Sequence, residues 1–153
     1  MRRIEVKRFS FRLEKVLRYR KYLETKAQIK LMDAINEYHE KETSIKLLVA
    51  RRMELADECS GEKKKGMDVA RYRLYYHYFH KLNDEQEAGG IALKKTEEKV
   101  QTQRMLLTKE SIKKKTLETL KDVQHGRYQE ISGKEEQKMM DETAIIGIKR
   151  VNL

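Results

Sequence analysis

At 153 residues the chain has room for one domain, but 39% charged residues, no proline, no tryptophan and only seven glycines do not describe an ordinary globular core. A mean hydropathy of -0.87 would suit disorder, yet Leu, Ile, Met and Tyr recur at helical spacing without Pro- or Ser-rich tracts, so long helices packed side by side are expected. The net charge of +10 is uneven: residues 1–30 hold eleven Lys/Arg against three acids and residues 31–60 four against seven, which points to an acidic partner for the start of the chain.

The opening residues 1–8 are basic and lack a following hydrophobic run, so they do not read as a secretory signal. Ser10 is expected to cap the first helix. From there Phe9, Leu13, Val16, Leu23 and Ala27 recur at steps of three and four, or their sum, and form a narrow seam flanked by Arg12, Lys15, Arg18, Arg20 and Lys21. The steps continue through Leu31, Ala34, Tyr38, Lys41, Ile45, Leu48, Arg52, Leu55 and Cys59 as heptads, with two four-residue steps around Ala27 that read as a stutter. A helix over about 10–59 would be about 75 Å long at 1.5 Å per residue. Cys59 is the single cysteine, which rules out an internal disulfide and suits a reducing compartment.

The glycine-bracketed lysines of residues 60–66 predict a turn. A short helix over 68–82 should follow, capped by Asp68 and carrying Tyr72, Tyr75, Tyr76, Tyr78 and Phe79. Tyr75, Tyr78, Phe79 and Leu82 form one stripe on it, Tyr72 and Tyr76 another. A second long helix should follow from about Asp84 or Ile91 to about Arg150, with Gly89-Gly90 a point where it bends or breaks. Its seam runs through Leu93, Val100 and Leu107, then Leu117, Leu120, Gln124 and Ile131 in a register shifted across Lys113, Lys114 and Lys115. The tail is apolar again at Ile145, Ile146, Ile148 and Val151.

Each tract alone has too narrow a seam to be covered, and each supplies the partner the other lacks. The expected fold is therefore all-α: one elongated domain over 1–153, a long antiparallel two-helix coiled-coil hairpin with a short aromatic-rich helix near the distal turn. A parallel homodimer is the competing assembly, and the mid-chain turn argues against it. No apolar run approaches the roughly 20 residues of a membrane span.

Catalytic chemistry finds no support. His77 and His80 stand three apart on a helix without a third ligand beside them, so they read as surface histidines rather than a metal pair. Asp141-Glu142 and Glu135-Glu136 are adjacent, and adjacent helical residues diverge by about 100°. Glycine loops for phosphate, nucleophile elbows and zinc-protease signatures do not occur. An enzyme is not expected, and no cofactor is called for.

Three stretches carry a family resemblance: FSFRLEKVLRYRKYLE at the start, VARYRLYYHYFHKL in the middle, and KTLETLKDVQHGRYQE with KEEQKMMDETAIIG near the end. In this order they resemble the flagellar export protein FliJ family, the stalk component of the flagellar type III secretion ATPase complex. The resemblance implies a cytoplasmic, monomeric, non-enzymatic hairpin similar to the central coiled coil of the rotary ATPase γ subunit. Its paired ends would enter the export ATPase (FliI) hexamer. Its other end would reach the export gate protein FlhA, and export chaperones would also bind, with membrane association through the gate alone. On that reading Arg12, Lys15, Arg18 and Arg20, with Lys138, Lys149 and Arg150, are the expected ring contacts, since long basic side chains can reach acidic loops while their stems cover the seam. Tyr75, Tyr78, Phe79 and Leu82, with Leu48 and Leu55, are the expected gate contacts; the plainer alternative is that these rings close the end of the hairpin. Two rival readings remain at this stage, a nucleic-acid-binding helix acting through counterion release and a generic scaffold coiled coil. Glu14, Glu24 and the neutral last third argue against a continuous phosphate track.

Overall fold

The computed structural model describes residues 8–151, with side chains through residue 146. Among these residues the chain forms two helices and no strand: α1, Glu14–Lys65, and α2, Val69–Val151. The expected all-α hairpin is what the sequence builds, from two elements and not three. α1 runs straight through Gly61, and the chain turns only at Gly66, whose φ of 89° is the left-handed conformation that ends helices. The Gly66 amide donates to the Lys63 carbonyl at 3.3 Å, and Lys63, Lys64 and Lys65 place positive charge at the negative end of the helix dipole. The turn expected over 60–66 therefore shrinks to the three residues after Lys65. Beyond it the aromatic stretch is the first part of α2, which passes Gly89 and Gly90 without a break.

At the other end α1 begins four residues after Ser10. The Glu14 amide donates to the Phe11 carbonyl at 3.1 Å, and Phe11 is only 6% exposed, so burial of that ring sets the entry turn and Ser10 stays outside the helix.

The chain divides into two compact units: a terminal unit from the described parts of Met1–Glu24 and Glu110–Leu153, and a turn unit, Thr25–Lys109. In each, α1 and α2 lie antiparallel, because contacts that climb one helix descend the other. Glu14 meets Lys121 and Glu24 meets Lys114 in the terminal unit. Glu37 meets Lys99, Arg52 meets Gln86, and Glu62 meets Arg71 in the turn unit.

The turn unit carries most of the apolar seam. Ala34, Leu55, Cys59, Leu82 and Val100 are buried there, with Ile45, Leu48, Tyr75, Phe79 and Leu93 half-buried beside them. Thr96 and Gln103 are polar positions in it. The Thr96 hydroxyl is buried and donates to the Leu93 carbonyl at 2.8 Å, whereas the Gln103 Oε1 is buried with no hydrogen-bond partner. Gly89 also occupies a seam position. A Cβ there would stand 3.2 Å from Ile45 Cγ1, so the missing side chain is what admits the isoleucine.

The terminal unit follows a seam different from the expected one. Leu17 is 2% exposed whereas Val16 is 43% exposed. Leu13, just before α1, and Leu17, Arg20 and Glu24 on it are covered at an unbroken 4-3-4 spacing that leads on to Ala27 without a stutter. On α2 the covered positions are Glu110, Lys114, Leu117 and Lys121, which extend the heptads from Leu107 with no slip across the lysines. Leu120 and Gln124, placed in a shifted seam by spacing, are exposed, as is Ile131. Both departures have one cause: charged residues occupy seam positions, and a search for apolar side chains steps around them.

Candidate partner-binding surfaces

In the terminal unit, Arg12, in the turn that leads into α1, and Lys15 and Arg18, on α1, are exposed. Arg20, the fourth expected contact here, is half-buried at a seam position, with Nη1 3.4 Å from Glu110 Oε2. The expected set is thus split: three cations face solvent and the fourth is held across the seam. Lys21 lies 3.5 Å from Glu118. Glu24 has two partners, since Lys114 Nζ lies 2.7 Å from its Oε2 and the Ser111 hydroxyl donates to its Oε1 at 2.7 Å. Lys114, and then Ser111, hold the Glu24 carboxyl below its ordinary range, and Glu24 in turn raises the Lys114 ammonium. Glu14 is lowered by its hydrogen bond to Lys121 at 2.8 Å. Glu110 is lowered chiefly by Lys113 at 2.7 Å, with Arg20 adding to it.

Past this seam the Phe9 ring meets His125 edge-on at 4.9 Å and Tyr128 at 5.7 Å. Every described side chain from Gly133 to Ile146 is exposed, Lys138, Met139, Met140, Ile145 and Ile146 among them. Lys149 and Arg150, the remaining expected contacts, lie outside the residues whose side chains are described, as do Ile148 and Val151.

In the turn unit the expected gate-contact residues fall into two groups. Leu55 and Leu82 are buried, and Leu48, Tyr75 and Phe79 are half-buried along the seam, while Tyr78 is exposed. Most of that stripe is buried or half-buried. The rings that face solvent are Tyr72, Tyr76 and Tyr78, with His77, His80 and Leu74. Tyr76 packs edge-on to His80 at 4.6 Å and to His77 at 6.2 Å. The second aromatic pair picked out by spacing, Tyr72 and Tyr76, was the signal for this face.

Beside these rings lies a groove of about 610 Å³, lined by apolar and aromatic Leu55, Leu74, Tyr75 and Tyr78 and by charged Arg51, Glu62, Arg71 and Lys81, with His77. Arg51 sits 6.0 Å over the Tyr78 ring and hydrogen-bonds Glu54 at 3.2 Å; Tyr78 foremost, and then Glu54, raise its guanidinium further. Arg71 reaches Glu62 at 3.4 Å. Partial burial foremost, and then the nearby Glu62 and Glu58 carboxylates, push the Tyr75 hydroxyl up. Sequence spacing missed Arg51 altogether, because its role depends on a ring 27 positions further along the chain. Among the described residues no group of three or more His, Cys, Asp or Glu side chains is placed to hold a metal ion. No helix there is long and apolar enough to cross a membrane.

These surfaces belong to a chain whose residues 9–152 match the family described as flagellar FliJ protein. No individual curated protein and no solved structure matches it.

Proposed function

The chain belongs to the FliJ family, flagellar proteins of the export machinery, and on that premise we propose that it is a non-enzymatic stalk of the export ATPase complex. The terminal unit engages the FliI hexamer and the turn unit engages the gate protein FlhA, with export chaperones as further clients. It works as a cytoplasmic monomer that reaches the membrane only through the gate. The observation that carries this reading is the family match along nearly the whole chain.

The geometry refines which side chains do the work. Arg12, Lys15 and Arg18 are exposed and positive, and they suit acidic loops of a ring better than Arg20, which is engaged by Glu110. At the turn unit, Leu74 is 70% exposed and Tyr78 38% exposed; as aromatic and apolar groups open to a partner they suit the gate better than the buried Leu55 and Leu82. The test is ATP turnover by the purified ATPase with and without this protein. The wild-type chain should raise turnover and hydrolyse nothing alone. R12E/K15E/R18E should lower that stimulation about tenfold, which corresponds to 1.4 kcal/mol of lost coupling. Full stimulation by the triple variant, with its helix content intact, would remove these cations from the ring contact.

A further inference from the structure

The two units are held together by different forces. Of the buried apolar side chains among the described residues, Phe11 and Leu17 belong to the terminal unit, whereas Ala34, Leu55, Cys59, Leu82 and Val100 belong to the turn unit. Ion pairs between the helices run the other way. The terminal unit has Glu14–Lys121, Arg20–Glu110, Lys21–Glu118 and Glu24–Lys114, at 2.8, 3.4, 3.5 and 2.7 Å. The turn unit has Glu37–Lys99 and Glu62–Arg71. Arg20, Glu24, Glu110, Lys114 and Lys121 hold the seam positions that leucine would hold in a stable coiled coil.

Those side chains remain partly wet. Glu24 is 14% exposed and Lys114 25%, and the other pairs are more open. Partly wet pairs add little net stability and are screened by salt, because the screening length falls from about 10 Å at 0.1 M to about 3 Å at 1 M. An apolar seam is not weakened that way. Stability inside one protein is divided among segments that open separately, and the segment with least apolar burial opens first.

We infer that the terminal unit is an ionic latch: its two helices separate as one cooperative step set by salt, while the turn unit stays shut and holds them on one chain. The opening breaks the four ion pairs, uncovers Phe11 and Leu17, and leaves two helical arms that can close again. This does not depend on what the terminal unit contacts.

Amide hydrogen exchange of the full chain tests it, read on peptides from 14–24 and 111–121 against peptides from 45–59 and 79–93. Raising NaCl from about 0.1 M to about 1 M should cut protection in the first pair about tenfold and leave the second pair unchanged or slower to exchange. K114E should mimic high salt at low salt by setting two carboxylates against each other, and E24K/K114E should restore the wild-type pattern. E24L/K114L should make the terminal peptides less sensitive to salt than the wild-type chain, with Glu14–Lys121, Arg20–Glu110 and Lys21–Glu118 still in place. Equal loss in both peptide pairs, or a terminal pair indifferent to salt in the wild-type chain, would overturn the inference. If the leucine variant fails to fold, the charge-swapped pair still decides: no rescue means that Glu24 and Lys114 do not hold the latch.

Discussion

Val16 and Leu17 are neighbours of similar apolar character, yet one is 43% and the other 2% exposed. Spacing chose Val16 because it treated Arg20 and Glu24 as surface. Once those two are placed in the seam, Leu17 follows from unbroken heptads. The glycines show the same dependence on a partner. Gly90 has no heavy atom within 4 Å of where a Cβ would stand, whereas Gly89 meets Ile45 at 3.2 Å. Alanine relieves the conformational cost of a helical glycine, worth about 1 kcal/mol. G90A should therefore raise the unfolding free energy by about that much, and G89A by less or not at all, since Ile45 must yield; paired urea titrations measure both. Gln103 gives a second case. Its Oε1 is buried without a donor, and an unsatisfied buried group costs about 1–3 kcal/mol. Q103L should thus stabilise the fold by about 1 kcal/mol in the same titration, and a loss would mean that the amide has a use.

Among the elements, α1 and α2 were legible as helices from the lack of proline and the apolar spacing, and their ends were not. Two glycines around a lysine run looked like the turn, but Gly61 has nothing to stop a helix, and only Gly66 adopts positive φ. The aromatic stretch was expected as a separate short helix and is instead the first part of α2, in which Gly89, expected as a bend or break, is a packing site. Pairing of the helices in the terminal unit should depend on acid. Glu14 is faced by Lys121, Arg18 and Lys21, Glu24 by Lys114, Ser111 and Lys21, and Glu110 by Lys113 and Arg20, and each carboxyl is held below its ordinary range. A carboxyl lowered by folding contributes stability above its unfolded pKa of about 4.3 and loses it as pH falls through the folded value. Circular dichroism melts between about pH 6 and about pH 3 should show falling stability, and E14Q/E24Q/E110Q should flatten that slope. An unchanged slope in the triple variant would place the acid sensitivity elsewhere.

For the molecule as a whole, fold class and family were open to a reader of the sequence, since both rest on patterns spread along the chain: helical spacing throughout, and three ordered stretches that agree with the match over residues 9–152. The contact residues were less open, because a cation or a ring takes its role from what lies across the seam, as Arg20 does from Glu110 and Tyr75 from its half-buried place. The proposed contacts lie in two units with separate cores, and substitutions with no shared partners usually add. R12E/K15E/R18E should therefore lose ATPase stimulation and keep gate binding, while L74S/Y78S should lose gate binding about tenfold and keep stimulation. Combining all five changes should leave each loss at its own size in its own assay, within about 0.5 kcal/mol. The measurements are ATP turnover with purified ATPase and pull-down with the soluble part of the gate protein. If L74S/Y78S instead abolished stimulation while the terminal unit kept its exchange protection, the assignment of one partner to each unit would fall.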